Sequence, residues 1–305
     1  MKGGIININK PSGLTSSDVV SRVRKNLGGK RKVGHAGTLD PNARGVLLIL
    51  VDDATKVSNY FMHQEKEYET LIVLGVATDT HDGEGRVLSN SDCRITREQF
   101  EAALKKFTGR QKQVPPMLSA KKHKGEKLYE LFRRGVTVTR KPEDIEIKSI
   151  KLLSYDYPKA SFRLVCSKGT YVRTLCNDIG EFLGCGAYMD SLIRTRVGKF
   201  VLKDSVSEIE NTGCDKYIKS LENLLAEYPC IIINEESARG IKNGKQIEPA
   251  DVVNICNINE EFKEKEPCNI FPVFDENRNL LAMAHAMNKN GSAGEITFKL
   301  LRVLS

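Results

Sequence analysis

The sequence contains eight cysteines but no Cys-x-x-Cys pair. The cysteines are scattered and no close histidine pair accompanies them, so a zinc site is not expected. There is no dinucleotide fingerprint, no Walker loop and no metal-ligating cluster, so neither a cofactor nor a metal is expected. The longest apolar run, Val46 to Val51, is far too short to cross a bilayer. No signal-like segment opens the chain, and the thiols read as reduced ones of a cytoplasmic protein. Glycine and proline, 24 and 10 of 305 residues, are too sparse for a disordered or repetitive polymer, and no internal repeat is visible.

What remains is a chain long enough for one large domain plus a small one, with 40% hydrophobic residues to build a core. Its formal charge is +8 and its pI is near 9.0. From Pro229 onward 9 basic residues face 11 acidic ones, a net of −2, so the residues before it carry a net of +10. Two runs concentrate that charge. Ser21 to Lys32 holds six basic residues and no acid, and Lys105 to Lys141 holds twelve against Glu126 and Glu130. Two such runs flanking a candidate site fit contacts to phosphates.

Between the first basic run and the Val46 to Val51 run lies Gly34-His35-Ala36-Gly37-Thr38-Leu39-Asp40-Pro41-Asn42-Ala43-Arg44-Gly45. Pro41 fixes its own φ and pushes Asp40 toward extended backbone. A carboxylate presented on so stiff a loop is a candidate nucleophile or base. Taken alone, the stretch fits an ordinary surface turn as well.

The remaining patterns place elements around it. Gly4 to Asn9 reads as a strand. Val19, Val20, Val23 and Leu27 form a helical stripe capped by Thr15 or Ser16 and ended by Gly28. Lys66 to Gly75 reads as a strand followed by a polar loop, Thr78 to Gly85. Thr96 and Gln99 form a capping box for a helix ending near Gly109. Lys127 to Arg134 reads as a short helix and Ser161 to Ser167 as a strand. Val172, Leu175, Cys176, Ile179 and Leu183 mark one face of a further helix. Arg173 lies in its first turn, where a cation opposes the helix dipole and calls for a compensating carboxylate. A last amphipathic helix is expected over Ile218 to Glu227, and short strands follow: Ile231 to Ile233, Phe271 to Phe274, Leu280 to His285 and Ile296 to Val303.

The segment from Gly34 resembles the signature of the TruB family of pseudouridine synthases. The resemblance extends through Lys10-Pro11-Ser12-Gly13, the Lys66-Glu67-Tyr68 and Thr78 to Gly85 patterns, Pro115 to Lys122, and Gly125, Tyr129, Arg133 and Gly135. It continues in Gly169 to Gly180 and Leu192 to Gly198. Met117-Leu118 departs from the more usual aromatic before Ser119-Ala120. From Gly3 to Gly198 the motifs are strong. Gly240 to Gly244 and the stretch from Phe274 only weakly resemble a PUA-like barrel.

The resemblance implies an α+β fold: a mixed, mostly antiparallel sheet flanked by helices, with a small C-terminal β-rich (PUA-like) domain. It implies a catalytic domain over 1–228, an RNA-gripping thumb near 110–148, and an RNA-binding domain over 229–305. The implied reaction converts the T-loop uridine of tRNA (position 55) to pseudouridine without cofactor, after the base flips into a cleft. Asp40 is implied as nucleophile, paired with Arg173, and Tyr68 stacks on the base and assists at carbon 5. His35 fills the space left by the base or contacts the RNA, or is simply a structural histidine. Tyr171 lines the pocket, Leu192 sits against the base, and Lys10, grouped with the substrate-binding residues, supports the catalytic loop from below. Lys121, Lys122, Lys124 and Arg133 meet RNA. The expected partner is the tRNA T stem-loop, with no membrane, no obligatory protein partner and a monomeric state. A non-catalytic tRNA-binding or folding factor and a guide-RNA-dependent enzyme acting on ribosomal RNA are the alternatives.

Overall fold

The structure is a computed structural model describing residues 3–119, 121–207, 213–241, 243, 245–257, 270–288 and 296–304. The first strand, β1 (Gly4–Lys10), is followed by α1 (Ser16–Asn26), whose cap is Thr15 in a reciprocal box with Asp18. Then come β2 (Val33–Ala36), β3 (Arg44–Val51), α2 (Ser58–His63) and β4 (Lys66–Leu74). A small hairpin, β5 (Val76–Thr78) and β6 (Val87–Asn90), precedes α3 (Arg97–Lys106), capped by Thr96 and Gln99 as their spacing predicts. Next are β7 (Gly109–Gln113), the hairpin β8 (Lys122–His123) and β9 (Glu126–Lys127), and α4 (Leu128–Arg133). The long strands β10 (Glu143–Asp156) and β11 (Lys159–Cys166), helix α5 (Val172–Phe182) and strand β12 (Ala187–Val197) follow, with β13 (Phe200–Val201) folding back on β12.

Apart from the separate hairpins β5–β6 and β8–β9, these strands and β14 (Lys219–Ser220) make a ten-stranded sheet with the path β14-β1-β3-β12-β4-β11-β10-β7, where β2 hangs on β3 and β13 on β12. Its pairings are antiparallel except β3 with β12. The unbroken apolar run of β3 reflects burial on both faces. Leu47, Ile49 and Val51 enter the cluster under α1, while Val46, Leu48 and Leu50 enter the opposite one with Phe61 and Phe200. A third cluster joins β4, β10, β11 and β12 to α3 and α5.

The expected helix from Ile218 is shorter than its pattern. Lys219 and Ser220 pair with Ile5 and Gly4 at the sheet edge, so α6 runs only over Leu221–Ala226. Edge pairing satisfies backbone groups that a helix would otherwise have used.

Beyond it, β15 (Cys230–Ile233), α7 (Glu235–Ile241), β16 (Val252–Cys256), β17 (Ile270–Asp275), β18 (Leu280–Asn288) and β19 (Ile296–Val303) build a second, five-stranded sheet. Asp275 to Asn279 forms the expected hairpin loop, with the Asn279 amide donating to Asp275 Oδ1. Of the Gly240 to Gly244 segment, Lys242 and Gly244 lie outside the described residues. This sheet is not a loosely tethered unit. Cys230, Phe274, Leu280, Met283 and Leu304 share one buried cluster with Ile5 and Leu48 of the main sheet and Phe61 of α2.

Candidate active site

Residues 37–43, between β2 and β3, form a loop that the surrounding chain pins almost peptide by peptide. The Ser16 hydroxyl, at the start of α1, accepts from Leu39 N (2.9 Å) and donates to Leu39 O (3.1 Å). Lys10 is fully buried, and its ammonium donates to Pro11 O, Leu14 O and Pro41 O at 2.9, 2.6 and 2.8 Å. Gly13 N also donates to Pro41 O, and the Ser12 hydroxyl donates to Asn42 O. Lys10 therefore lies beneath the loop, with its protons committed to carbonyl oxygens. It fits the supporting role, not direct contact with a substrate. Burial pulls its pKa down to about 8, although Asp40 opposes the shift.

The loop exits at Gly45, whose φ of +106° suits glycine, and a Cβ there would stand 2.2 Å from Arg194 O. The Asp-Pro pair does form a turn, with Ala43 N donating to Asp40 O. That turn lines a cleft, with Pro41 and Asn42 exposed.

That cleft has a volume of about 780 Å³, within the range of ligand sites. Asp40 lines it, as do His35, Leu192 and Arg133. Arg173, 2% exposed on the first turn of α5, brings Nε to 3.3 Å from Asp40 Oδ2. The contact is one of charge rather than an aligned hydrogen bond, since Nε and Nη1 both lack hydrogen-bond partners. Nη2 donates to Leu118 O at 2.5 Å, and the guanidinium stands 5.7 Å over the Tyr171 ring. The compensating carboxylate that the first-turn cation calls for is thus Asp40. Gln113 fixes the helix start from behind. Its Oε1 accepts from Tyr171 N (2.8 Å) and its Nε2 donates to Tyr171 O (3.1 Å).

Asp40's side chain keeps 42% of its surface open to the cleft, yet protein packs closely around it. Burial pushes its pKa up, Arg173 and Lys10 pull it down, and Asp82 and Glu84 push it up again. Those two acids line the same cleft from the loop between β5 and β6. Asp82 is held there by Thr80, whose hydroxyl donates to Oδ1 at 2.6 Å. His35 is kept neutral by burial and by Arg194, and its Nδ1 has no partner.

Other expected site residues stand behind the walls. Tyr68 is 9% exposed and shares a buried cluster with Leu39, Ala43 and Leu192, so its ring lies one layer below the cleft surface. Stacking on a base from that position requires the cleft to open around it. Burial raises the Tyr68 pKa, so the phenol is neutral. Tyr171 likewise lies behind Asp40, over the Arg173 guanidinium, and is not on the cleft surface. Of the lysines expected to meet RNA, Lys121 is ion-paired with Glu143, a partly exposed contact that a phosphate would have to displace. Lys122 and Lys124 are exposed on the β8–β9 hairpin. The thumb instead sends Lys127, Tyr129 and Arg133 to the cleft, with both cations against the Tyr129 ring at 5.4 and 5.7 Å.

The sequence reading missed Asp82, Glu84, Lys127 and Arg194 as site residues. For Asp82 a signal existed in the Thr78 to Gly85 pattern. Arg194 had no periodic signal, but it is the arginine of the Leu192 to Gly198 pattern, which was the one signal that could have found it. Among the described residues no three His, Cys, Asp or Glu side chains gather to hold a metal, and no helix is long and apolar enough to cross a membrane.

The architecture is shared with the chain matched in a Cbf5-Nop10-Gar1 complex, with a TM-score of 0.75 and 23% identity over 99% of this chain and 85% of that one. Residues 24–172 match the model of the TruB family pseudouridylate synthase N-terminal domain, and residues 173–226 that of the tRNA pseudouridylate synthase B C-terminal domain. Among curated relatives, tRNA pseudouridine synthase B of Protochlamydia amoebophila is 50% identical over 68% of this chain and 79% of its own. The enzyme of the same name from Clostridium kluyveri is 43% identical over 80% of this chain and 85% of its own. Fold, cleft and sequence define a pseudouridine synthase, an isomerase. Within that class the chain belongs to the TruB family.

Proposed function

We propose that this chain converts a tRNA uridine, the one in the T loop, to pseudouridine, with Asp40 as nucleophile. The observation that carries the assignment of roles is the Asp40 carboxylate at the cleft floor, 3.3 Å from the buried Arg173 guanidinium. The reaction breaks the N-glycosidic bond, turns the uracil and rejoins it through carbon 5, so its atoms balance without a redox partner. The target base leaves the loop and enters the cleft, where the carboxylate waits on a loop too tightly tied to reorganise. Arg173 opposes the pull of burial on the carboxylate, which by itself would favour the protonated form. Leu192 packs against the base, and His35 faces the RNA from the rim. Lys127, Tyr129 and Arg133 take the flanking backbone and an unstacked base, a pairing of cations and an aromatic that suits single-stranded RNA. Residues 1–228 form the catalytic unit, with the thumb over about 110–148, and residues 229–305 extend the RNA surface. The enzyme works as a monomer in the cytoplasm, on the T stem-loop.

The test is tritium release from tRNA labelled at uracil carbon 5, with purified protein and no added factor. Wild type releases tritium. Asp40→Asn folds and binds tRNA but releases none at any enzyme concentration. Release by Asp40→Asn at a near-normal rate would move the chemistry elsewhere. No release by the wild type would favour an RNA-binding role without catalysis.

A further inference from the structure

The only parallel joint among the described strands of the main sheet sets Ile193 and Arg194 of β12 beside Arg44 and Gly45 of β3. At this joint the loop carrying Asp40 enters the sheet. The Arg194 side chain is 1% exposed and does not line the cleft. Each of its three guanidinium nitrogens donates to a backbone carbonyl. Nε donates to Val46 O at 2.7 Å, Nη2 to Gly37 O at 2.9 Å and Nη1 to Thr38 O at 3.3 Å. Gly37 and Thr38 begin the loop, and Val46 stands in β3 just past its end. One rigid plane therefore sets the separation of the loop's two ends, while Ser16 and Lys10 hold its middle.

We infer that Arg194 is a positioning residue for the isomerisation, acting through the loop to aim the Asp40 carboxylate at the cleft and at Arg173. The inference rests on the reading of Asp40 as nucleophile. Arg173 stands on α5 and Asp40 on the loop, two elements whose relative placement decides their 3.3 Å contact. Both ends of the loop must be fixed for that distance to hold, because a loop tied only at its centre can pivot. Arginine suits the task where lysine does not. Its planar fork presents donors from three nitrogens at separate, fixed points, whereas an ammonium's donors all leave one atom and serve only carbonyls that converge on a single point, as they do around Lys10. The Gly45 backbone lying directly against Arg194 leaves no slack on the exit side.

The experiment compares Arg194→Lys with wild type in single-turnover tritium release at saturating tRNA, together with tRNA affinity and melting temperature. Asp40→Asn runs in parallel. So does Val273→Ala, a truncation in the buried core of the C-terminal sheet, as a control for lost stability alone. The expected result is a rate about a hundredfold lower in Arg194→Lys, the cost of roughly 1 Å of misplacement. Its tRNA affinity stays within about threefold, and Val273→Ala melts earlier but turns over normally. If Arg194→Lys does not fold, Gly37→Ala disturbs the same tie without removing a buried charge, because Gly37 has a φ of +95° that a side chain strains. That variant is then expected to lose at least tenfold in rate with affinity kept. A wild-type rate in folded Arg194→Lys, or in Gly37→Ala when the first does not fold, overturns the inference. So does a rate loss matched by an equal loss of affinity. Activity in Asp40→Asn instead overturns the reading beneath it, so the two failures are distinguishable.

Discussion

Replacing Arg173 by lysine tests the centre of the site most directly. The guanidinium serves two partners, Asp40 Oδ2 at 3.3 Å and Leu118 O at 2.5 Å, and it is 2% exposed. A lysine ammonium keeps the charge, but its single nitrogen cannot stand where both Nε and Nη2 stand, and Asp40 faces the first and Leu118 O the second. If it stays with Leu118 it withdraws from Asp40. If it follows Asp40 it leaves a buried carbonyl unpaired. Either way one charge-assisted interaction is lost, about 1.5–3 kcal/mol. At 1.36 kcal/mol per factor of ten, the rate falls roughly ten- to more than a hundredfold. The opposing limit is the bare Coulomb attraction at 3.3 Å, about 5 kcal/mol at an effective dielectric of 20. It overstates the effect, because Asp40's side chain is 42% open to solvent and the charge is retained. The assay is single-turnover tritium release at saturating tRNA, with affinity measured separately. A second variant, Arg173→Met, adds a pH signature. Without the cation nothing as strong opposes burial, so the Asp40 pKa moves further up. The active form is ionised, so activity is present above that pKa and lost as pH falls through it. The acid limb therefore begins at higher pH in Arg173→Met than in wild type. An Arg173→Lys rate within about threefold of wild type, or an unmoved acid limb in Arg173→Met, refutes the pairing.

Lys10, with a pKa of about 8, has enough protons for three carbonyls only while charged, so turnover should decline as pH rises through about 8; a flat profile to about pH 9.5 would contradict this. Neutralising Lys122, Lys124, Lys127 and Arg133 together should weaken tRNA binding and reduce its salt slope by up to about one unit per lost phosphate contact; an unchanged slope removes the thumb from the binding surface. A chain ending at Tyr228 should lose much of its thermal stability or aggregate. Cys230, Phe274, Leu280, Met283 and Leu304 complete a cluster with Ile5 and Phe61, and cutting them away exposes that face. A soluble truncation melting with the full chain would show that the shared cluster is dispensable.

Much of the fold was legible because it depends on local rules. The Thr15 and Thr96 caps, the stop of α1 at Gly28, the strand periods of Lys66–Leu74 and Lys159–Cys166 and the apolar stripe of α5 are properties of neighbouring residues. The Asp40-Pro41 loop was legible for the same reason, with its family signature, and the first-turn position of Arg173 called for a carboxylate nearby. The sequence could not say that Ile218–Ser220 would leave a helical pattern. The competing partner, the edge of β1, lies more than two hundred residues away in the chain. Lys10 was expected beneath the loop from its family motif alone, and no local pattern could place it there, because three carbonyl oxygens converge on its ammonium only when the strand, the turn and the loop have come together. Tyr68 read as a cleft residue and folded to one layer below it, since depth is set by what packs above a strand. The tie of Arg194 to Gly37, Thr38 and Val46 spans about 150 residues. Propensity, period and capping act over a few residues and were fixed in the sequence. Burial, charge pairing and the aim of a carboxylate depend on groups distant in the chain, and only the tertiary structure decided them.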